Sequence, residues 1–180
     1  MSYVMVDIEA DGPIPGDYSM VSFGAVVIDK DPLAVVTGTA SCPISFFGKL
    51  CPISDKFVPD ALKVSGYTRE ETLSFPEPLE VMKSFDQWLH DKVRDRPMFI
   101  SDNNGFDWMF MCWYFWHFLN ANPFGHSSTN LGSLYKGAER NMHKSFKHLR
   151  KTRHTHNPVD DSLGNAEAFL EILQMHHFKY

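Results

Sequence analysis

The chain has 180 residues, 43% of them hydrophobic, a formal net charge of −5 and three cysteines. That length and apolar content suffice for one sizeable core, so the whole chain, 1–180, is expected to form a single domain. No run of about 18 uncharged apolar residues is present, which excludes a membrane-spanning helix, and no basic stretch followed by an apolar run marks a secretory leader. Cys42, Cys51 and Cys112 are odd in number and lack CxxC spacing, which argues against a disulfide framework or zinc site and for a cytoplasmic protein with reduced thiols.

The first predicted element is a strand over Tyr3–Glu9, in which Tyr3, Val4, Met5, Val6 and Ile8 flank Asp7 and Glu9. Strand residues two apart share a face, so the two acids converge near its C-terminal end. Carboxylates brought together raise one another's pKa unless a cation neutralises them, and a hard divalent ion with oxygen ligands suits the pair. Taken alone, an edge strand with a solvated acidic face accounts for the pair equally well. Gly and Pro make Asp11–Gly16 a loop. Strands follow at Met20–Ile28 and Ala34–Ala40, and the short link Asp29–Pro32 predicts an antiparallel hairpin. Ser41–Phe57 reads as irregular, with two Cys-Pro pairs and the Phe46-Phe47 pair.

A short helix is expected over Pro59–Val64, closed at Gly66. A longer one covers Glu77–Val93, where Leu79, Met82, Phe85, Trp88 and Leu89 recur at three- and four-residue steps. Pro97–Ser101 is an apolar strand suited to a sheet interior. The helix Phe106–Leu119 is apolar nearly all round. It is too short to span a bilayer and must be covered on more than one side, by other helices of this chain or by a second subunit. A short helix over Asn130–Tyr135 and an amphipathic turn carrying Phe146 and Leu149 come next. The last helix, Pro158–His176, has an apolar stripe of Val159, Leu163, Ala166, Phe169, Leu170 and Leu173. Three strands, a helix, a strand and then helices predict an α/β layered domain with a mixed sheet.

Charge is unevenly placed. Residues 136–154 hold Lys136, Arg140, Lys144, Lys147, Arg150, Lys151 and Arg153 against Glu139 alone, a local +6 that leaves −11 for the rest. A basic patch on an acidic body suits local contact with phosphates; a solvated helix face suits the same residues. Two acidic places remain. Asp107 stands just past the strand Pro97–Ser101 at the start of a helix, where the helix N-terminus favours a carboxylate, as it does for any first-turn acid. Asp160 and Asp161 open the last helix, with His156 ahead of them on a Pro-containing loop. Read singly, these are a helix cap and an exposed loop histidine.

In order along the chain, Asp7-x-Glu9, Asn103-x-x-Phe106-Asp107 and His156-x4-Asp161 resemble the three motifs of the DnaQ-like 3′→5′ exonucleases, with the histidine of the DEDDh branch. The resemblance runs from residue 7 to residue 161. Phe23-Gly24-Ala-Val26 is similar to the family's second strand, Val64-Ser-Gly-Tyr-Thr68 to the loop that precedes a helix, and Ala10 stands where a threonine is common. The family implies a ribonuclease H-like α/β fold, with a central mixed sheet of about five strands flanked by helices. It also implies that Asp7, Glu9, Asp107 and Asp161 hold two Mg²⁺ or Mn²⁺ ions about 4 Å apart, which clamp the attacking and leaving oxygens. His156 is then the general base, since imidazole titrates near neutral pH. The family spacing selects His156 over His154, and Asp161 over Asp160.

Asp11 reads as a turn residue before Gly12. Gly12 is expected to let substrate approach the backbone closely, and Asn103 and Phe106 to line the terminal-nucleotide pocket. Phe46, Phe47, Phe57 and Tyr67 are candidates for base stacking, with buried packing as the ordinary alternative. The opening Asp-Ile-Glu-Ala-Asp-Gly-Pro and the Phe-Asp-Trp108 stretch are most similar to the RNase AS-like enzymes among the small exoribonucleases, which include oligoribonuclease and RNase T. Many of these act as homodimers, which fits the Phe106–Leu119 helix. The expected activity is a metal-dependent 3′→5′ exoribonuclease that releases nucleoside 5′-monophosphates from single-stranded or 3′-overhanging RNA. A 3′→5′ DNA exonuclease is the alternative. A catalytically silent nucleic-acid-binding module is a third reading, against which the complete set of four acids and His156 argues.

Overall fold

A computed structural model describes residues 2–30, 33–38 and 42–179. Its strands are β1 (Ser2–Ala10), β2 (Met20–Lys30), β3 (Leu33–Val35), β4 (Ser45–Lys49), β5 (Pro97–Ser101) and β6 (Ser128–Asn130). Its helices are α1 (Pro59–Val64), α2 (Arg69–Thr72), α3 (Pro78–Lys92), α4 (Asn104–Leu119), α5 (Leu131–Ala138) and α6 (Pro158–Met175), with a 3₁₀ turn at Lys147–Leu149. The strands form one mixed sheet in the order β3-β2-β1-β5-β6, and β4 joins the same edge of β2 as β3. β1 is antiparallel to β2 and parallel to β5. Among the described residues, no helix is long and apolar enough to cross a membrane.

The alternation of side chains along β1 builds two cores. Val4, Val6 and Ile8 pack with Met82 and Phe85 of α3 and with Phe110, Met111 and Tyr114 of α4. Met5 faces the other way, into a cluster with Ile100, Leu131, Phe169 and Ile172 under α5 and α6. Asp7 and Glu9 share the parity of Met5, so they face the α6 side of the sheet. Pairing with β2 on one side and β5 on the other makes β1 a central strand rather than an edge.

The first turn of α6 rests directly on β2. Gly24 pairs with Asp7 across the ladder, and a Cβ at Gly24 would stand 2.3 Å from the Pro158 carbonyl carbon. Ser162 Oγ donates to the Gly24 carbonyl at 3.0 Å. Only a residue without a side chain admits this approach. Overpacking of this kind costs about 1–3 kcal/mol, so Gly24→Ala should lower the thermal midpoint by about 2–10 °C. It should also depress activity, because the displaced turn carries Asp161. An unchanged midpoint in a thermal melt would contradict the close contact.

Several boundaries depart from the sequence-based expectation. β4 lies inside Ser41–Phe57, which reads as irregular because adjacent Phe46 and Phe47 hide any alternation. In the structure Phe46 stacks on Phe23 with ring centroids 5.5 Å apart, whereas Phe47 is 43% exposed. β3 ends at Val35, followed by an isolated bridge from Thr37 to Pro43, and Thr39 and Ala40 lie outside the described residues. On α3 the buried stripe uses Val81 in place of Leu79, which is 37% exposed. α5 runs on to Ala138, and Asn130, which ends β6, caps it by accepting from Ser133 N. The apolar α4 buries Phe110, Met111, Tyr114 and Phe115, while Trp108, Met109, Cys112, Trp113 and Trp116 line an open groove of about 550 Å³ on its other side.

Candidate active site

Because β1 and β5 are parallel, their C-terminal ends share one edge of the sheet, the place where α/β sheets assemble ligand sites. β1 delivers Asp7 and Glu9 there. Asn104 ties the start of α4 to the neighbouring strands, donating to the Thr129 carbonyl at 3.1 Å and accepting from Ser128 Oγ at 2.7 Å, so that the first turn of α4 brings Asp107 to the same edge. The first turn of α6, docked on Gly24, supplies Asp161.

Carboxylate oxygens of Asp7, Glu9 and Asp161 all lie within 4.8 Å of one another. Asp161 is fully buried, and each of its oxygens accepts a backbone amide, from Thr155 at 3.1 Å and from His156 at 3.0 Å. The cap of α6 is Asn157, whose side chain accepts from Val159 N at 3.0 Å, so the acid pair is not the cap. Asp160 turns away and accepts from Thr155 Oγ1. Asp107 is 3% exposed and falls outside the three-carboxylate group, yet its charge bears directly on Asp7. Its Oδ2 is buried without a hydrogen-bond partner among the described residues.

Both loop histidines reach the cluster. His156 Nδ1 stands 3.6 Å from Glu9 Oε1, and His154 Nδ1 2.8 Å from Asp161 Oδ1, with the two rings edge to face at 4.3 Å. His156 adopts φ +60°, a conformation uncommon outside glycine and asparagine. Its amide is thereby turned onto Asp161 while its half-exposed ring lies beside Glu9.

Repulsion dominates the electrostatics. Burial pushes Asp7 well above the usual carboxylate range, reinforced by Asp107, Asp161 and Glu9 and opposed by Arg150. Burial, with Asp161, raises Glu9 to about 7. Burial also raises Asp107 to about 8, against the hydrogen bonds that it receives from Ser101 and from the backbone at Ile8 and Asn103. Three carboxylates within 4.8 Å of one another, with Asp107 near enough to act on Asp7 and holding a buried unpartnered oxygen, fit divalent cations of the Mg²⁺ or Mn²⁺ class. In the folded chain Glu9 and Asp107 hold protons that the unfolded chain, with ordinary values of 4.5 and 3.8, has lost. The metal-free protein should therefore lose stability as pH rises from about 4 to 8. Added Mg²⁺ or Mn²⁺ should raise the thermal midpoint strongly near pH 8 and weakly near pH 5. Melts that respond equally to metal at both pH values would refute this linkage.

The remaining predicted residues divide. Asn103 is exposed at the N-terminal boundary of α4 and makes no capping bond, and Phe106 is half-buried against Phe110. Both stand within four residues of Asp107. The space that a Gly12 side chain would take is filled by the Tyr18 ring, whose Cδ1 lies 2.0 Å from an ideal Cβ, so Gly12 is needed for packing of the loop. Asp11 is buried and locks that loop, accepting from Ser19 N and pairing with Arg69 at 3.0 Å. Phe47 and Tyr67 line a cleft of about 310 Å³ that also includes His156 and Asn157. Phe46 is taken up by the core, and Phe57 packs under the Arg69 guanidinium at 5.1 Å. By its place in the sequence Arg150 belongs to the basic patch. In the structure its side chain is 8% exposed and reaches Asp102 and Asn165, close enough to oppose the charge on Asp7. The only sequence signal was its place beside Phe146 and Leu149 on the apolar side of a short turn.

The RNase_T exonuclease family model matches residues 4–169. The chain belongs to the DEDDh 3′→5′ exonuclease family. It is 32% identical over 180 residues to the 3′-5′ DNA exonuclease Cap18 of Escherichia coli, covering 93% of this chain and 89% of that protein. Among solved structures it resembles cell-death related nuclease 4 with a TM-score of 0.76 at 16% identity, covering 97% of this chain and 64% of that one. The nuclease domain of 3′hExo, a DEDDh member bound to rAMP, aligns with a TM-score of 0.73 at 14% identity over 97% and 92% of the two chains. E. coli exonuclease I in complex with a dA16 oligonucleotide aligns with a TM-score of 0.70 at 17% identity, over 97% of this chain and 41% of that one. At these identities the structures establish the ribonuclease H-like fold. The DEDDh exonucleases are hydrolases that depend on divalent metal ions and act on nucleic acids.

Proposed function

We propose that this DEDDh exonuclease shortens single-stranded DNA from a free 3′ end, with His156 as general base and Asp7, Glu9, Asp107 and Asp161 as ligands of two Mg²⁺ or Mn²⁺ ions. The observation that carries this reading is the convergence of four carboxylates from β1, α4 and α6 with the His156 ring beside Glu9. Such ions lower the pKa of the attacking water and neutralise the phosphodiester. His156 accepts the proton of that water as its oxygen bonds to phosphorus. The 3′ oxygen of the preceding nucleotide then leaves, takes up a proton, and frees a nucleoside 5′-monophosphate. Asn103, Phe106 and the cleft bordered by Phe47 and Tyr67 hold the terminal nucleotide, the aromatic rings accepting any base.

DNA is favoured by the 32% identity to a DNA exonuclease. RNA is the second reading, supported by the likeness of the first and second motifs to the RNase AS-like enzymes. Matched DNA and RNA strands, each with a free or a blocked 3′ end, separate the two. Faster loss of the free-ended DNA supports the proposal, faster loss of RNA reverses the substrate, and cleavage of blocked strands removes the 3′→5′ direction.

The open face of α4, with Trp116 44% exposed, supports a homodimer built on that helix. Light scattering should then return about twice 20.6 kDa, and Trp116→Glu should return the monomer mass.

A further inference from the structure

Residues 136–153 carry a run of positive charge. Lys136, Arg140, Lys144, Lys147, Lys151 and Arg153 make no ion pair among the described residues, and all but the half-buried Lys136 are exposed. The other two charges of this segment are engaged elsewhere, Arg150 with Asp102 and Glu139 with His176. The backbone beneath the strip is anchored. Phe146 is buried in the α6-side core, and the amides of Lys151 and Thr152 donate to Glu167 Oε2 at 2.9 and 2.7 Å.

That anchorage sets the distance to the acid cluster. Glu167 and Asp161 are six residues apart on α6, about 9 Å along the axis at 1.5 Å per residue. A stacked strand advances about 3.4 Å per nucleotide, so the backbone anchorage of Lys151 on Glu167 lies about the span of two to three phosphates along α6 from Asp161. Lys147 and Lys144 precede Lys151 in the chain, in and before the 3₁₀ turn, while the chain beyond it runs straight into His154 and His156.

We propose that residues 136–153 form a track for the phosphate backbone of the strand whose 3′ end lies among Asp7, Glu9, Asp107 and Asp161. The proposal rests on the exonuclease reading for the polarity of the strand, and on charge and placement for the contact itself. The rest of the chain carries a net −11, which repels a polyanion overall, so the basic segment draws the strand in and directs its end to the acids. Lysine ammoniums are flexible point charges that treat each phosphate alike. The strand therefore advances by exchanging phosphates along the strip after each nucleotide is lost, with no preference for sequence.

The test is binding of a fluorescent single strand of about 20 nucleotides, in EDTA, across a salt series. The proteins compared are wild type, the triple Lys144→Glu, Lys147→Glu, Lys151→Glu variant, and the same three positions changed to Gln. Affinity at low salt should fall at least tenfold in both variants. The slope of log affinity against log salt should drop by about 2 in the neutral variant, from about 0.7 per lost phosphate contact. In the presence of metal, kcat/KM for the long strand relative to a dinucleotide should fall at least tenfold. Affinity and salt slope equal to wild type in both folded variants would overturn the track, as would equally tight binding of polyglutamate. Loss of binding in the variants with no cleavage by any of the proteins would uphold the track and sink the exonuclease reading instead.

Discussion

Asp7→Ala is expected to lower kcat by at least about 10³-fold without unfolding the protein. Asp7 is the carboxylate that the other three surround: it lies within 4.8 Å of Glu9 and Asp161, and Asp107 contributes the largest of the repulsions on it. A side chain at that position serves both halves of the cluster, so its removal disturbs every ligand set at once. Charge stabilisation by a bound metal is worth several kcal/mol, and each 1.36 kcal/mol is tenfold in rate. The same crowding makes the stability prediction run the other way. Asp7 opposes folding above its unfolded pKa, because burial and three like charges hold its ionisation up. Metal-free Asp7→Ala should therefore melt no lower than wild type near pH 8 while being inactive. The decisive comparison is single-turnover cleavage beside a thermal melt. Activity within tenfold of wild type would remove Asp7 from the reaction.

His156→Asn should reduce kcat by about 10²–10⁴-fold, the usual contribution of a general base, while leaving the metal-dependent rise in thermal midpoint intact. Asparagine is the informative replacement because it tolerates the positive φ that His156 adopts, whereas a β-branched or bulky residue adds strain there. The neighbouring ring supplies the control. His154 Nδ1 is engaged with Asp161 at 2.8 Å, while the His156 ring is beside Glu9 and borders the cleft. His154→Ala should thus cost less than His156→Asn. The reverse ranking, read from kcat at saturating metal, would transfer the base to His154.

The two histidines show where reading a sequence stops. A five-residue separation from Asp161 singles out His156, and in the structure its ring stands 3.6 Å from Glu9. The structure also brings His154 to Asp161, a contact set by the path of the loop and not by spacing. Likewise Asp11 and Gly12 adjoin the first motif and Phe46 reads as a stacking candidate, but all three serve packing. Asp11 holds Arg69, Gly12 makes room for Tyr18, and Phe46 stacks on Phe23. Arg150 is the converse. Its identity suggests a surface charge, and only its insertion between Asp102 and Asn165 reveals a counterweight to the acids.

Local periodicity by itself determined the placing of two acids on one face of β1, the strands β2 and β5 and the long helices, because residues two apart on a strand, or three and four on a helix, share a face whatever they pack against. The ordered motifs, from Asp7 to Asp161, then identified the family. The tertiary structure alone decided that β1 is central and that β4 pairs with β2. It alone set the approach of α6 to Gly24 that brings Asp161 to Asp7 and Glu9. It alone left one face of α4 open. Each of these depends on contacts between segments far apart in the chain, where the energy comes from what the partner offers and not from the segment's own pattern.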